Sequence, residues 1–176
     1  MNSPHLAIPN KLPCTVDDAI VYDSNLGPWN TKSGGRLDVL FALDEKILNR
    51  MLQVDPHELS LAPALRLGIR AFHSSGLAAG SVGGEHFHRI KDEIIAFTKG
   101  SAEYILEDLY GGKRKLQIGD HARGLYIPPF IMHTYTIIEA AELIGVSNTL
   151  YDPDDPTTHD TFDGVAFQIL QHHYVK

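Results

Sequence analysis

The chain has 176 residues, 43% of them hydrophobic, which is typical of one globular domain whose core needs no disulfide bonds. Its formal net charge of −7 disfavours nucleic-acid binding, because proteins that bind polyanions present basic stripes. Cys14 is the only cysteine, so no intramolecular disulfide can form and a reducing compartment fits. Residues 1–13 lack a signal-peptide pattern and no apolar stretch is long enough to span a membrane, so we expect a cytoplasmic protein.

The first 33 residues differ in character from the rest of the chain. Residues 1–33 contain four prolines and only scattered apolar residues. This composition favours an extended arm that lies on the main domain or on a neighbouring subunit. A regular pattern begins at Gly34, and we expect residues 34–176 to form the main domain.

The main domain is predicted to be all-β with one short helix. Asp44 has the character of an N-cap, and apolar residues recur at helical spacing over Glu45–Gln53. β-Prone segments separated by glycine turns, at Gly100 and at Gly111-Gly112, predict a sandwich or barrel. We expect strands at Arg36–Ala42, Leu65–His73, Glu85–Arg89, Glu93–Thr98, Ala102–Glu107, Arg114–Ile118, Gly124–Ile127, His133–Ile138, Leu143–Ser147 and Val165–Leu170.

Metal-ligand residues cluster in the segment GGEHFHRIKDE. His86 and His88 are one residue apart, so on a strand both side chains point to the same face. Glu93 follows closely, and His133 ends the later segment IPPFIMH. Three imidazoles and a carboxylate suit a divalent cation, and we expect these four residues to bind one Zn, Fe, Mn or Ni ion inside a β-barrel. The alternative is a pair of surface histidines on an edge strand.

The spacing G-x5-H-x-H-x4-E-x6-G in this region resembles the first cupin motif at every defined position. The second cupin motif normally reads G-x5-P-x-G-x2-H-x3-N. This chain keeps Pro128 and His133 but has Phe130 and Ile137 in place of the glycine and the asparagine. These departures concern turn geometry and favour a specialised branch of the cupins. The resemblance implies a double-stranded β-helix, the cupin jelly-roll barrel.

Three stretches resemble the sugar-nucleotide branch of the cupins, which includes bacterial sugar 3,4-ketoisomerases and the C-terminal cupin of capsular-polysaccharide epimerase/reductases. They are the run that begins GGEHFHRIKDE, the segment GLYIPPFIMH and the tail SNTLYDPDDPTTHDTF. The resemblance covers about residues 34–163 and implies an isomerase or epimerase of a nucleotide-linked keto-sugar in polysaccharide biosynthesis. From composition alone, Tyr151–Thr161 is acidic and turn-rich, and we interpret it as a solvated loop.

Isomerisation of a keto-sugar needs an acidified C–H bond and a group that moves the proton. A cation that polarises the ketone oxygen supplies the first requirement, and a histidine or tyrosine supplies the second. Tyr104, Tyr135 and His73 lie on strands expected to line the cavity, and they are our catalytic candidates, although most such residues only pack. In the ketoisomerases the histidines of the H-x-H pair look catalytic without a metal, so His86 and His88 are alternatively bases.

Two other functions stay open. The chain is alternatively another metal-dependent cupin enzyme, such as an Fe(II) dioxygenase or a lyase, or a non-catalytic cupin that binds a small ligand. A nucleotide sugar would bring a diphosphate, which arginines bind as bidentate forks. The candidate arginines are Arg36, Arg66, Arg70, Arg89 and Arg123. We also expect a homodimer, because an edge strand offers unpaired backbone groups to a second subunit.

Overall fold

The structure, a computed structural model, describes residues 6–22, 27–119 and 124–175. Its strands are β1 (Ile20–Tyr22), β2 (Trp29–Asn30), β3 (Arg36–Leu37), β4 (Arg66–Leu77), β5 (Val82–Phe87), β6 (Glu93–Glu107), β7 (Lys113–Ile118), β8 (Gly124–Ile127), β9 (Met132–Leu150) and β10 (Phe162–Asp163). Its helices are α1 (Glu45–Leu52), α2 (Pro56–Leu61) and α3 (Gly164–Gln171). In the part of the chain that is described, no helix is both long enough and apolar enough to cross a membrane.

The two longest strands, β6 and β9, form the spine of the fold. They pair antiparallel from Glu93 opposite Ser147 to Glu107 opposite Met132. The first half of β6 pairs with β8 and its second half with β7, while β9 pairs with β5 near its start and with β4 near its end. Different strands therefore flank the two halves of the β6–β9 ladder. This is the all-β jelly-roll arrangement that the cupin motif predicts.

Strand β6 continues through Gly100, where the sequence predicted a hairpin turn. Gly100 has a φ of +71°, and a β-carbon there would collide with the carbonyl oxygens of Glu139 and Ala140. The pairing register with β9 shifts on both sides of the glycine. Gly100 is therefore a bulge that bends one continuous strand, and the prediction of two strands joined by a turn is wrong. The two segments predicted at residues 133–138 and 143–147 are likewise parts of β9.

The main core lies on the inner face of the sheet and underlies the functional site. It joins buried side chains from both halves of β6, such as Phe97 and Leu106, with Leu125 on β8. Tyr104 and Leu143 belong to this core and also line the largest cavity of the site. A closely packed floor of this kind holds the residues around the cavity in fixed positions.

Helix α1 agrees with the sequence prediction. The carboxylate of its N-cap, Asp44, accepts a hydrogen bond of 2.9 Å from the backbone N–H of Ile47. Ile47 and Met51 are buried, whereas Leu52 is exposed, so the buried stripe is narrower than the sequence suggested. Helices α2 and α3 are additional to the one short helix that the sequence predicted.

Helix α3 replaces the predicted strand Val165–Leu170. Asp163 caps the helix, because its carboxylate accepts a hydrogen bond of 2.9 Å from the N–H of Ala166. Ala166, Phe167 and Leu170 are buried against β5, while Val165 faces solvent. A run of six mostly apolar residues is compatible with a strand or with one face of a helix, and the N-cap together with the packing surface decides between them.

Part of the predicted N-terminal arm is integrated into the main sheet. Strand β1 pairs antiparallel with β8, and Val16 and Ala19 join the main core. The backbone N–H of Val16 donates a buried hydrogen bond of 3.0 Å to the carboxylate of Asp108. The strand predicted at Arg36–Ala42 is limited to β3, which pairs only with β2 among the described residues. The domain boundary after residue 33 stays a prediction.

Candidate active site

The structure brings the three predicted histidine ligands together from distant parts of the sequence. His86 lies on β5 directly opposite His133 on β9, and His88 follows the end of β5. The ring centroids are 4.5 Å apart for His86 and His133, 4.8 Å for His86 and His88, and 5.4 Å for His88 and His133. One ring nitrogen of each histidine lies within 4.8 Å of the others. The three imidazoles thus form one cluster.

Each imidazole of the cluster is oriented by a backbone carbonyl at its Nδ1 atom. His86 and His133 contact the carbonyl two residues earlier in the chain, at 2.8 and 3.1 Å. His88 contacts the carbonyl of Asp160. A carbonyl only accepts, so Nδ1 carries the proton in each ring and Nε2 keeps its lone pair. The three Nε2 atoms are therefore free to accept a proton or to bind a cation.

The cluster fits a divalent metal ion. His88 is 2% exposed, and its buried Nε2 has no hydrogen-bond partner in the structure. Burial lowers the pKa of His88 well below its usual value and that of His133 to about 4, so both rings stay neutral as metal ligands must. Ligand atoms bound tetrahedrally at about 2.1 Å lie about 3.4 Å apart, so the rings would draw in by about an ångström around an ion.

Glu93, the fourth predicted ligand, lies beside the histidine cluster but not within it. Its Oε2 is 3.8 Å from Nε2 of His133, while its Oε1 accepts a hydrogen bond of 2.9 Å from Nζ of Lys91. Burial alone would raise the pKa of Glu93, but the charge of the Lys91 ammonium outweighs it and holds that pKa below its usual value. Glu93 is thus a carboxylate anion, and the positive charge of Lys91 balances it. Sequence reasoning missed this lysine.

A cavity of about 560 Å³ opens in front of the cluster. Tyr104 and Tyr135 line it, with their rings 5.4 Å apart. Burial raises the pKa of both tyrosines, most strongly that of Tyr104, so each keeps its proton and can only act as an acid or hydrogen-bond donor near neutral pH. The other charged or histidine side chains in the wall are Arg70, His86, Lys91, Glu93 and His133.

His73 does not line this cavity, and the prediction that it does is wrong. Its neighbours Phe72 and Ser74 line the cavity, and successive side chains on a strand point to opposite faces. The His73 side chain is 54% exposed, and its Nε2 lies 3.8 Å from the carboxylate of Glu142. Tyr126 packs in a separate core cluster with Ile47 and Met51 of α1.

Among the arginines that the structure describes, Arg70 is the one predicted phosphate ligand that lines the cavity. Its guanidinium carbon lies 5.0 Å from the ring centroid of Tyr151, and its buried Nε has no hydrogen-bond partner. Arg89, in contrast, forms a buried ion pair of 2.7 Å with Glu58. Arg123 lies outside the described residues. Arg70 is therefore available for an anionic ligand.

Asp160 is a positioning residue that sequence reasoning missed. Its carboxylate accepts hydrogen bonds from the backbone N–H groups of Arg89, Ile90 and Lys91, at 3.1, 2.7 and 2.6 Å, and its own carbonyl holds Nδ1 of His88. It is only 8% exposed, so the tail interpreted as a solvated loop is partly buried. The resemblance of the tail to the sugar-nucleotide cupins was the sole sequence signal for it.

The family of the chain follows from residues 68–163. A family model described as "FdtA: WxcM-like, C-terminal" matches this range, which is more than half of the chain and contains the three clustered histidines. The chain belongs to this WxcM-like family. No curated protein matches the chain.

Solved structures of sugar 3,4-ketoisomerases share the fold of this WxcM-like protein. WlaRA from Campylobacter jejuni, a TDP-fucose-3,4-ketoisomerase, aligns with a TM-score of 0.56 and 20% identity over 88% of this chain and 96% of that chain. QdtA from Thermoanaerobacterium thermosaccharolyticum, solved in complex with TDP, aligns with a TM-score of 0.58 and 15% identity over 91% of this chain and 99% of that chain. A 3,4-ketoisomerase from Helicobacter canadensis aligns with a TM-score of 0.58 and 15% identity over 88% of this chain and 98% of that chain. The resemblance to the sugar 3,4-ketoisomerases is confirmed at the level of the fold.

Proposed function

We propose that this WxcM-like protein is an isomerase that takes a proton from the hydroxyl-bearing carbon beside the ketone of a nucleotide-linked keto-sugar and delivers a proton to the ketone carbon. The observation that carries the proposal is one cavity that holds imidazoles with free Nε2 atoms, two protonated tyrosines and an arginine that forms no ion pair with any carboxylate among the described residues. The family match and the description of the similar structures as 3,4-ketoisomerases support it.

Arg70 is the group that we assign to the diphosphate of the substrate. A guanidinium presents a planar fork that matches phosphate oxygens, and the Arg70 fork lies in the cavity wall against the ring of Tyr151. With the imidazoles neutral, the charged side chains of the wall are Arg70, Lys91 and Glu93, which leaves one net positive charge. That charge favours an anionic ligand over a neutral or cationic one.

We assign the proton transfer to the imidazoles and tyrosines of the cavity. When no metal is bound, Nε2 of His86 is free to remove the proton from the hydroxyl-bearing carbon beside the ketone. The electron pair of that C–H bond then forms a C=C bond to the ketone carbon, and the π pair of the C=O bond passes to its oxygen. Tyr104 or Tyr135 donates a hydrogen bond to the oxygen as it gains negative charge. The former ketone carbon then receives a proton that has exchanged with solvent, its oxygen gains a proton, and the neighbouring hydroxyl loses one, so the ketone moves by one position.

We further propose that one divalent metal ion binds His86, His88 and His133, with Glu93 as the fourth ligand. The buried Nε2 of His88 without a partner and the shared orientation of the three rings support this assignment. When bound, such an ion supplies a positive charge that stabilises a negative oxygen on the substrate. Without a metal, the same three Nε2 atoms act only as acid–base groups.

A homodimer is the assembly that we infer. Within the described residues β4 pairs only with β9, so its other edge is open. Leu67 and Ile69, on the outer face of β4, are 44% and 63% exposed. An open edge strand with exposed apolar side chains is a surface that a second copy of the chain can cover.

The proposed isomerase is tested by following the product. Purified protein is incubated with nucleoside-diphosphate 4-keto-6-deoxy sugars, and NMR spectroscopy detects the 3-keto isomer. The expected result is isomer formation that falls by at least about a hundredfold in His86→Ala and His133→Ala, since acid–base groups contribute about that much. His73→Ala is the matched control, because His73 lies outside the cavity, and it should keep full activity. Equal activity in all three variants would contradict the assignment.

A further inference from the structure

Lys91 forms an ion pair with Glu93, the carboxylate that would complete the metal site. Its Nζ donates a hydrogen bond of 2.9 Å to Oε1 of Glu93, and the two side chains are only 10% and 9% exposed. Lys91 lies two residues before Glu93, the first residue of β6, and both side chains line the cavity. A buried ion pair therefore stands directly beside the histidine cluster.

The position of Glu93 shows the effect of this pair. The ligand atoms of His86, His88 and His133 lie within 4.8 Å of one another, but Glu93 is not part of that group. Its nearer oxygen is 3.8 Å from Nε2 of His133, while its other oxygen is bound to the ammonium. Glu93 has to leave Lys91, at least in part, before it can join the three imidazoles around one ion.

The backbone fixes Lys91 in this place. Its N–H donates a hydrogen bond of 2.6 Å to the buried carboxylate of Asp160, which also binds the N–H groups of Arg89 and Ile90. The same tail residue orients His88 through its carbonyl. The backbone of the lysine and the ring of the histidine ligand thus share one anchor, Asp160.

We propose that Lys91 weakens metal binding at the histidine cluster, a role that we call the lock. This proposal rests on the metal assignment made above. Its ammonium holds Glu93 outside the histidine cluster and repels an incoming dication. Glu93 therefore becomes the fourth ligand only by giving up its ion pair with Lys91, and the native chain binds divalent metal weakly. Replacing Lys91 by an uncharged residue of similar length leaves Glu93 as a buried charge without a partner, and a bound dication then compensates that charge. Removing the lysine should therefore tighten metal binding rather than weaken it.

The test measures the affinity for Zn²⁺ and Mn²⁺ by isothermal titration calorimetry. Lys91→Met should bind at least one of the two ions about tenfold or more tightly than the unmodified protein. Lys91→Arg keeps the positive charge and should bind with unchanged affinity. Lys115→Met is the matched control, because Lys115 forms an exposed pair of 2.8 Å with Glu103 on the neighbouring strand. In Lys91→Met with Glu93→Gln, the gain should disappear.

Two results would overturn the lock. One is an unchanged or weaker affinity in Lys91→Met when circular dichroism shows it folded; the other is an equal gain in Lys91→Arg. If neither the unmodified protein nor Lys91→Met binds either ion, the lock and the proposed metal site fail together. The isomerase proposal is judged separately by product formation, which does not depend on the calorimetry.

Discussion

At the scale of single residues, Asp160 links the tail to the site. Its carboxylate binds three consecutive backbone N–H groups, and its carbonyl fixes the tautomer of His88. A buried carboxylate that accepts several N–H groups orders a segment that has no regular secondary structure of its own. The geometry of His88 therefore depends on a residue 72 positions away in the chain.

Replacing Asp160 by asparagine should loosen this anchor. The amide offers fewer acceptor positions, so buried N–H groups of residues 89–91 lose partners, and we expect a loss of about 1–3 kcal/mol in the free energy of unfolding. Chemical denaturation monitored by circular dichroism measures the loss, and isomerase assays should show a lower kcat. Asp154→Asn in the exposed part of the same tail is the control and should change neither. A fully stable and active Asp160→Asn protein would contradict the positioning role.

At the scale of secondary-structure elements, the sequence predicted what local patterns determine. The bounds of β8 match the prediction, and Asp44 caps α1 as its residue type indicates. Gly100 was misassigned because a glycine with positive φ is compatible with a turn or with a bulge, and the difference lies in its pairing with β9. The site follows the same rule. Regular spacing predicted His86, whereas the ion pair of Lys91 carries no periodic signal.

Strand β4 is the element on which we expect the dimer to depend. Ile69 is 63% exposed on the outer face of β4, next to its open edge, so replacing it by lysine costs the isolated subunit little stability but places a charge in the proposed interface. Light scattering at tens of micromolar should show a dimer for the unmodified protein and a monomer for Ile69→Lys. Val165→Lys on the exposed face of α3 should remain dimeric. A monomeric unmodified protein would rule out the proposed assembly.

At the scale of the whole molecule, the jelly-roll fold brings together groups that are far apart in the sequence. Strand β5 supplies His86, β9 supplies His133, and the tail that follows β9 orients His88. The core between the two halves of the β6–β9 ladder forms the floor of the cavity. The cupin motifs predicted this architecture from short segments of sequence. The contacts of the tail and of the helix that follows it became visible only in the folded structure.

Deuterium exchange tests the central claim, proton transfer beside the ketone of a nucleotide sugar, most directly. The protein is incubated in deuterated water with a nucleoside-diphosphate 4-keto-6-deoxy sugar, and mass spectrometry with NMR locates deuterium on the carbons that flank the ketone. We predict incorporation at those carbons that is lost in His86→Ala and retained in His73→Ala. Binding of the sugar without incorporation, for several such sugars, would contradict the account and favour a non-catalytic binding protein; oxygen uptake in its place would favour a dioxygenase.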